Sequence, residues 1–200
     1  DKLTECSDLA SREWSFEKTL DKMLVDWKGL KFGLKPWKET GTCILEGGPI
    51  DEAQALLDDH IVKTQAMRAS PFAKPHIDRI IPWEAKLTRL QDIVDQWLKC
   101  QSKWLYLEPI FGSEEIMKQI PKEGAALKNM DATWRRIIED IRAKPAAIGA
   151  PDIPDLLEDL LQPLGELARD VRVVQGDVKS PLLALGQVRD RQVAQRRLHR

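Results

Sequence analysis

Trp97-Leu98-Lys99-Cys100-Gln101-Ser102-Lys103-Trp104-Leu105-Tyr106-Leu107-Glu108-Pro109-Ile110-Phe111 gathers aromatic and aliphatic side chains in front of a proline, and its reading decides the fold. It is the end of a long packed helix, not a reaction centre. Upstream, Ile80, Trp83, Leu87, Leu90, Val94, Trp97, Gln101 and Trp104 recur at steps of three and four, a seam along which a neighbouring helix can pack. The helix is expected over Ile77–Tyr106, with Pro82 in its first turns as an N1-like residue or a kink. Pro109 and Gly112 are expected to end it.

Working outward, Leu9, Trp14, Phe16, Leu20, Met23, Leu24 and Trp27 predict one buried helical face between Asp8 and Trp27, ended by Gly29. From Leu30 to Leu45 the character changes. Phe32 and Leu34 lie two apart, Pro36 interrupts, and Gly41 precedes the run Thr42-Cys43-Ile44-Leu45, which fits a small β-hairpin. Gly47-Gly48-Pro49 breaks the chain before Asp51, the expected N-cap, and Ala53, Leu56, Leu57, Ile61 and Met67 stripe a second helix of about five turns. Beyond the long helix, Ser113 caps a short amphipathic piece with Ile116, Met117 and Ile120, and Pro121 restarts the chain. Leu127, Met130, Trp134, Ile137, Ile138 and Ile141 mark another helix, and Leu156, Leu157, Leu160, Leu164 and Leu167 a weaker one. After Val174 the pattern gives way to Gly176, Pro181 and Gly186, which read as loop. The expected class is mostly α, an elongated helical bundle with a small β-hairpin near the N-terminus.

Composition narrows the function classes. With 42% hydrophobic and 32% charged residues the chain can bury a core. Lys+Arg at 31 against Asp+Glu at 32 leaves a net charge of −1, which favours neither nucleic acid nor an anionic membrane. The local exception is the tail, where Arg189, Arg191, Arg196, Arg197 and Arg200 face only Asp190; a solvated end is the expectation. Three cysteines, Cys6, Cys43 and Cys100, are odd in number and widely spaced, which suits a reducing compartment. No apolar run approaches a membrane span. The chain opens on Asp1, which suits an excerpt of something longer.

The search for chemistry returns no catalytic, cofactor-binding or metal residues. No Gly-x-x-x-x-Gly-Lys-[Ser/Thr] loop occurs, and Gly47-Gly48-Pro49 lacks the Lys-Ser/Thr that would follow one. His60, His76 and His199 are scattered, and His60, beside an apolar stripe, reads as a packed or capping histidine and not a ligand. The pairs Asp58-Asp59 and Glu114-Glu115 diverge by about 100° on a helix and read as solvated faces. Seven tryptophans at helical spacing read as core, not as a stacking platform.

An ordered series of segments then carries a family likeness: Trp37-Lys38-Glu39-Thr40-Gly41-Thr42-Cys43-Ile44-Leu45, Leu56-Leu57-Asp58-Asp59-His60-Ile61-Val62-Lys63-Thr64-Gln65-Ala66-Met67, Ser70-Pro71-Phe72 with Lys74-Pro75, Trp83-Glu84, Trp104-Leu105-Tyr106-Leu107-Glu108-Pro109-Ile110-Phe111, Ser113-Glu114-Glu115-Ile116-Met117, Pro121-Lys122-Glu123-Gly124 and Trp134-Arg135. It resembles the linker region of dynein heavy chains, most of all the axonemal inner-arm type. The likeness is strongest over residues 10–141 and fades by about 171, so the expected domains are a partial linker at 1–171 and a divergent, loop-rich tail at 172–200. The resemblance implies a non-catalytic lever that passes ATP-driven shape changes of an AAA+ ring through a minus-end-directed microtubule motor of the ciliary axoneme. It implies ATP and Mg only in that absent ring. Its implied partners are the ring of the same heavy chain and dynein intermediate and light intermediate chains, with microtubules met only through absent parts. The stiff element would be the long helix, with the Pro109–Gly112 and Pro121 breaks as joints. The alternative is a standalone helical interaction module that binds axonemal dynein subunits without a motor.

Overall fold

The computed structural model describes residues 2–111, 118 and 121–161. Its elements run α1 (Lys2–Lys28), β1 (Leu34–Pro36), β2 (Cys43–Leu45), α2 (Gly47–Arg68), a 3-10 turn over Pro71–His76, α3 (Ile77–Phe111), α4 (Pro121–Ala143) and a 3-10 turn over Ala147–Asp152. Helix resumes at 156–161. The architecture is mostly α with a two-stranded antiparallel hairpin near the N-terminus, as the sequence pattern predicts.

The spine is α3, whose 35 residues at about 1.5 Å each give a rod roughly 52 Å long. Its seam is buried at Ile80, Trp83, Leu87, Leu90, Val94, Trp97 and Trp104, with Ile93, Cys100 and Leu107 joining it. Helices α2 and α4 and the Ala147–Asp152 turn pack along this seam, and one continuous core runs from Leu20 to Leu160. Buried Glu84 on α3 lies 2.9 Å from Arg68 Nη1 in the last turn of α2, which pairs a charge that would otherwise be costly to bury.

Pro82 and Pro109 both lie inside α3. Pro109 does not end the helix, which runs on to Phe111; a proline that near the terminus deletes one bond, to the Leu105 carbonyl, and lies on the exposed side. Pro82 is not at N1 but in the second turn, also on the exposed side. Gly112, Ser113, Glu114, Glu115, Ile116, Met117, Ile120, Leu164, Leu167 and the tail at 172–200 lie outside the described residues.

Helix α2 also begins earlier than its sequence suggests. Gly47, Gly48 and Pro49 form its first turn, where backbone N–H groups have no intrahelical acceptor and a proline therefore costs nothing; Glu46, not Asp51, is the capping residue. The buried stripe is Ile50, Ala53, Leu57, His60, Thr64 and Met67, while Leu56 and Ile61 sit at its margin. Two polar residues thus occupy core positions. Thr64 donates its hydroxyl to the His60 carbonyl at 2.6 Å, which explains how it is tolerated there.

Helix α1 buries Leu20, Met23 and Trp27, but the single apolar face expected for it is incomplete. Trp14 is 62% exposed and Leu24 41% exposed. The Trp14 ring carries Lys18 Nζ at 5.3 Å from its centroid, one turn on along the same outer face. The C-terminal half of α1 is held to α2 by Trp27 and Met23 and to α3 by the Asp21–Arg79 ion pair at 2.7 Å. Its middle meets the Pro71–His76 turn, where Arg12 lies over Phe72 and a His76 ring nitrogen contacts the Glu13 carbonyl at 3.1 Å.

Candidate functional site

The hairpin is too short to stand alone, so its attachment is informative. Register pairs Leu34 with Leu45, Lys35 with Ile44 and Pro36 with Cys43. Outside these pairs the Glu46 N–H donates to the Gly33 carbonyl and the Trp37 N–H to the Thr42 carbonyl. Antiparallel ladders alternate, so Leu34–Leu45 and Pro36–Cys43 are the pairs whose backbone groups point away from the partner strand. Pro36 therefore loses nothing by lacking an N–H.

The outward groups of β2 are taken up by two helices. Gln101 on α3 accepts the Leu45 N–H at 2.7 Å, and the Trp134 Nε1–H on α4 donates to the Cys43 carbonyl at 3.2 Å. The one polar member of the α3 seam is thereby explained: it satisfies an edge strand. Gln101→Leu should cost about 1–3 kcal/mol by leaving the buried Leu45 N–H unpaired; an unchanged chemical-denaturation midpoint would show that the N–H finds another acceptor.

The hairpin tip forms a second attachment. Lys38 Nζ reaches Glu108 Oε2 at 2.6 Å and Trp37 Nε1–H donates to the same oxygen at 3.4 Å, tying the tip to the last turn of α3. Lys38 holds φ at +47°, a left-handed conformation that is costly for a residue with a Cβ, and Gly41 at +72° completes the reversal. Arg135 on α4 donates from Nη2 to the Thr40 carbonyl at 3.0 Å and from Nε to Asp131 at 2.8 Å. Asp131 in turn accepts from Trp104 Nε1 at 3.0 Å. Around these groups lies an open cleft of about 800 Å³ lined by Lys38, Glu39, Thr40, Trp104, Glu108, Asp131 and Arg135. Each charge in this chain of bonds meets an opposite charge or a donor, which makes it a fastening between the hairpin tip, α3 and α4.

Beneath the cleft Trp104 and Trp134 stack, centroids 5.5 Å apart and planes 18° off parallel, both fully buried. With the Arg142 Nη2–Cys43 Sγ contact at 3.3 Å, hairpin, α3 and α4 are joined into one unit.

The remaining candidates are structural in place. Five of the seven tryptophans, Trp27, Trp83, Trp97, Trp104 and Trp134, are buried. His60 is 2% exposed and its Nδ1 accepts the Trp27 Nε1–H at 3.0 Å, a packed histidine as its position beside the stripe predicts. Asp58 and Asp59 are exposed, and the Lys63 ammonium at 2.6 Å holds the Asp59 carboxyl below its ordinary range. Cys43 and Cys100 are buried free thiols, and burial pushes Cys100 up to about 11. Among the described residues no three His, Cys, Asp or Glu side chains converge as a metal site, and no helix is long and apolar enough to cross a membrane.

The described residues form a helical scaffold with a hairpin stapled to two of its helices, the architecture of a structural segment. The family described as "Dynein heavy chain, N-terminal region 2" matches residues 1–172, and the chain belongs to it. Among its relatives are human dynein axonemal heavy chain 12, 46% identical over 151 residues, 76% of this chain, and human dynein axonemal heavy chain 3, 44% identical over 160 residues, 80% of this chain. Mouse dynein axonemal heavy chain 1 is 42% identical over 158 residues, or 79%. The matches span only 4–5% of those relatives' own lengths.

Proposed function

We propose that the chain is a stiff, non-catalytic linker segment of an axonemal dynein heavy chain, through which ATP-driven shape changes of an AAA+ ring reach the rest of a minus-end-directed ciliary microtubule motor. The observation that carries this reading is α3, a single 35-residue helix packed along its seam by α2, α4 and the Ala147–Asp152 turn. Such a rod resists bending because any bend must open core contacts on one side. The ring of the same heavy chain, intermediate chains and light intermediate chains are its proposed partners, the axoneme its place, and ATP and Mg belong to the ring.

Of the joints expected at Pro109–Gly112 and Pro121, the segment from Gly112 up to Pro121 lies largely outside the described residues. The Trp104–Trp134 stack and the Trp104–Asp131 bond tie α3 to α4, and the Arg135–Thr40 bond ties α4 to the hairpin, which supports a lever that moves as one piece over these elements.

The test is to soften the rod within the full heavy chain. Asp92, Asp95 and Lys99 share the exposed face of α3, and their joint replacement by glycine would cost roughly 1–2 kcal/mol of helix stability in all without touching the core. Microtubule gliding velocity should fall severalfold while ATP hydrolysis persists. Unchanged gliding would defeat the mechanical reading.

A further inference from the structure

His60 is the one titratable ring in the seam between α1 and α2, and its bonding fixes its tautomer. Because Nδ1 accepts the Trp27 Nε1–H at 3.0 Å, the neutral ring carries its proton on Nε2. That nitrogen faces Asp26 Oδ2 at 3.6 Å and Asp59 Oδ2 at 3.8 Å, beyond hydrogen-bond length. The rings of Trp27 and His60 meet edge-on, centroids 6.2 Å apart, and both are almost wholly buried. We propose that this contact is a proton-operated clasp, in which protonation of His60 at Nδ1 sets two N–H donors against each other and loosens α1 from α2.

The groups facing the ring are Asp26 and Lys22 from α1 and Asp59 and Lys63 from α2. The two carboxylates favour the charged ring, but burial outweighs them, the two lysines add to it, and the imidazole is held below its ordinary 6.5. Folded His60 thus takes up its proton at lower pH than unfolded His60. The clasp's stability is complete above about pH 6.5 and is lost as pH falls toward the folded value. His76 contrasts with it in geometry: its Nε2 faces an acceptor, the Glu13 carbonyl at 3.1 Å, and not a donor. The acid effect therefore falls on the Trp27 end of α1.

The test uses the 200-residue chain. Its unfolding constant should rise below about pH 6.5, at most about tenfold per unit for one proton. His60→Gln keeps an acceptor for Trp27 without a titrating group and should remove this dependence; an identical pH profile in the variant would overturn the clasp. Hydrogen exchange, corrected for intrinsic rates, should quicken on acidification at residues 20–28 and not along α3, and equal protection of the two would count against it. Should His60→Gln fail to fold, nitrogen NMR of the wild-type imidazoles decides. A neutral, Nε2-protonated His60 at about pH 6.5 supports the proposal, and a charged one overturns it.

Discussion

Trp97→Ala is expected to lower the unfolding free energy by about 3–5 kcal/mol, the range for deleting a large buried aromatic. Trp97 is fully buried midway along the seam of α3 and meets Phe32 edge-on with centroids 5.3 Å apart. Its loss would leave a void between the rod and the chain leading into the hairpin, and packed surroundings relax only in part. A companion variant separates volume from polarity. The Trp97 Nε1–H has no hydrogen-bond partner among the described residues, so Trp97→Phe removes that donor together with part of the ring. It should cost less than about 2 kcal/mol. Chemical denaturation at fixed pH reads both; an alanine variant within ~1 kcal/mol of wild type would refute the packing argument.

Trp134→Ala should be as costly, about 3–5 kcal/mol, for a different set of reasons. It removes the stack on Trp104 and also the donor to the Cys43 carbonyl, so β2 loses one of its two backbone bonds to the helices along with core volume. The expected local signature is at Cys43, which is only 7% exposed in the intact fold. Its alkylation under native conditions should speed up by an order of magnitude or more, because strand opening no longer has to break the bond from α4. If Cys43 stayed as protected as in wild type, Gln101, Arg142 and the tip contacts would be enough to hold the hairpin.

Much of this architecture could be read from the order of residues because helix periodicity is local. The steps of three and four from Ile80 to Trp104 identify α3, and Leu127 to Ile141 identify α4, since in each case the apolar stripe alone fixes which face turns inward. The reading failed where a residue's role depends on what lies across from it. Trp14 belongs to an apolar pattern yet faces outward, because no element among the described residues packs over that side of α1. Gly47-Gly48-Pro49 looks like a break and is a first helical turn, since first-turn geometry demands no N–H. Pro109 looks like a terminator and is followed by two more helical residues.

The hairpin clasp was the least legible part. Nothing near Gln101 announces that its carbonyl meets the Leu45 N–H, 56 residues earlier, and nothing near Arg135 announces Thr40, 95 residues away. The turn at Ala147–Asp152 left no periodic signal either, although Ala147 and Ala150 are fully buried and the Phe32 and Ala147 N–H groups bond across to the Pro145 and Leu30 carbonyls.

By itself, then, the sequence determined the helical class, the hairpin, the long seam of α3, the neutral charge balance and the family, because each is written in local periodicity, composition or an ordered series of residues. Only the tertiary structure decided that the hairpin is bound to both α3 and α4, that His60 accepts from Trp27, and that α3 and α4 meet through Trp104, Asp131 and Trp134. Those are pairings of single donors and acceptors far apart in the chain, and a pairing of that kind leaves no trace in the sequence around either partner.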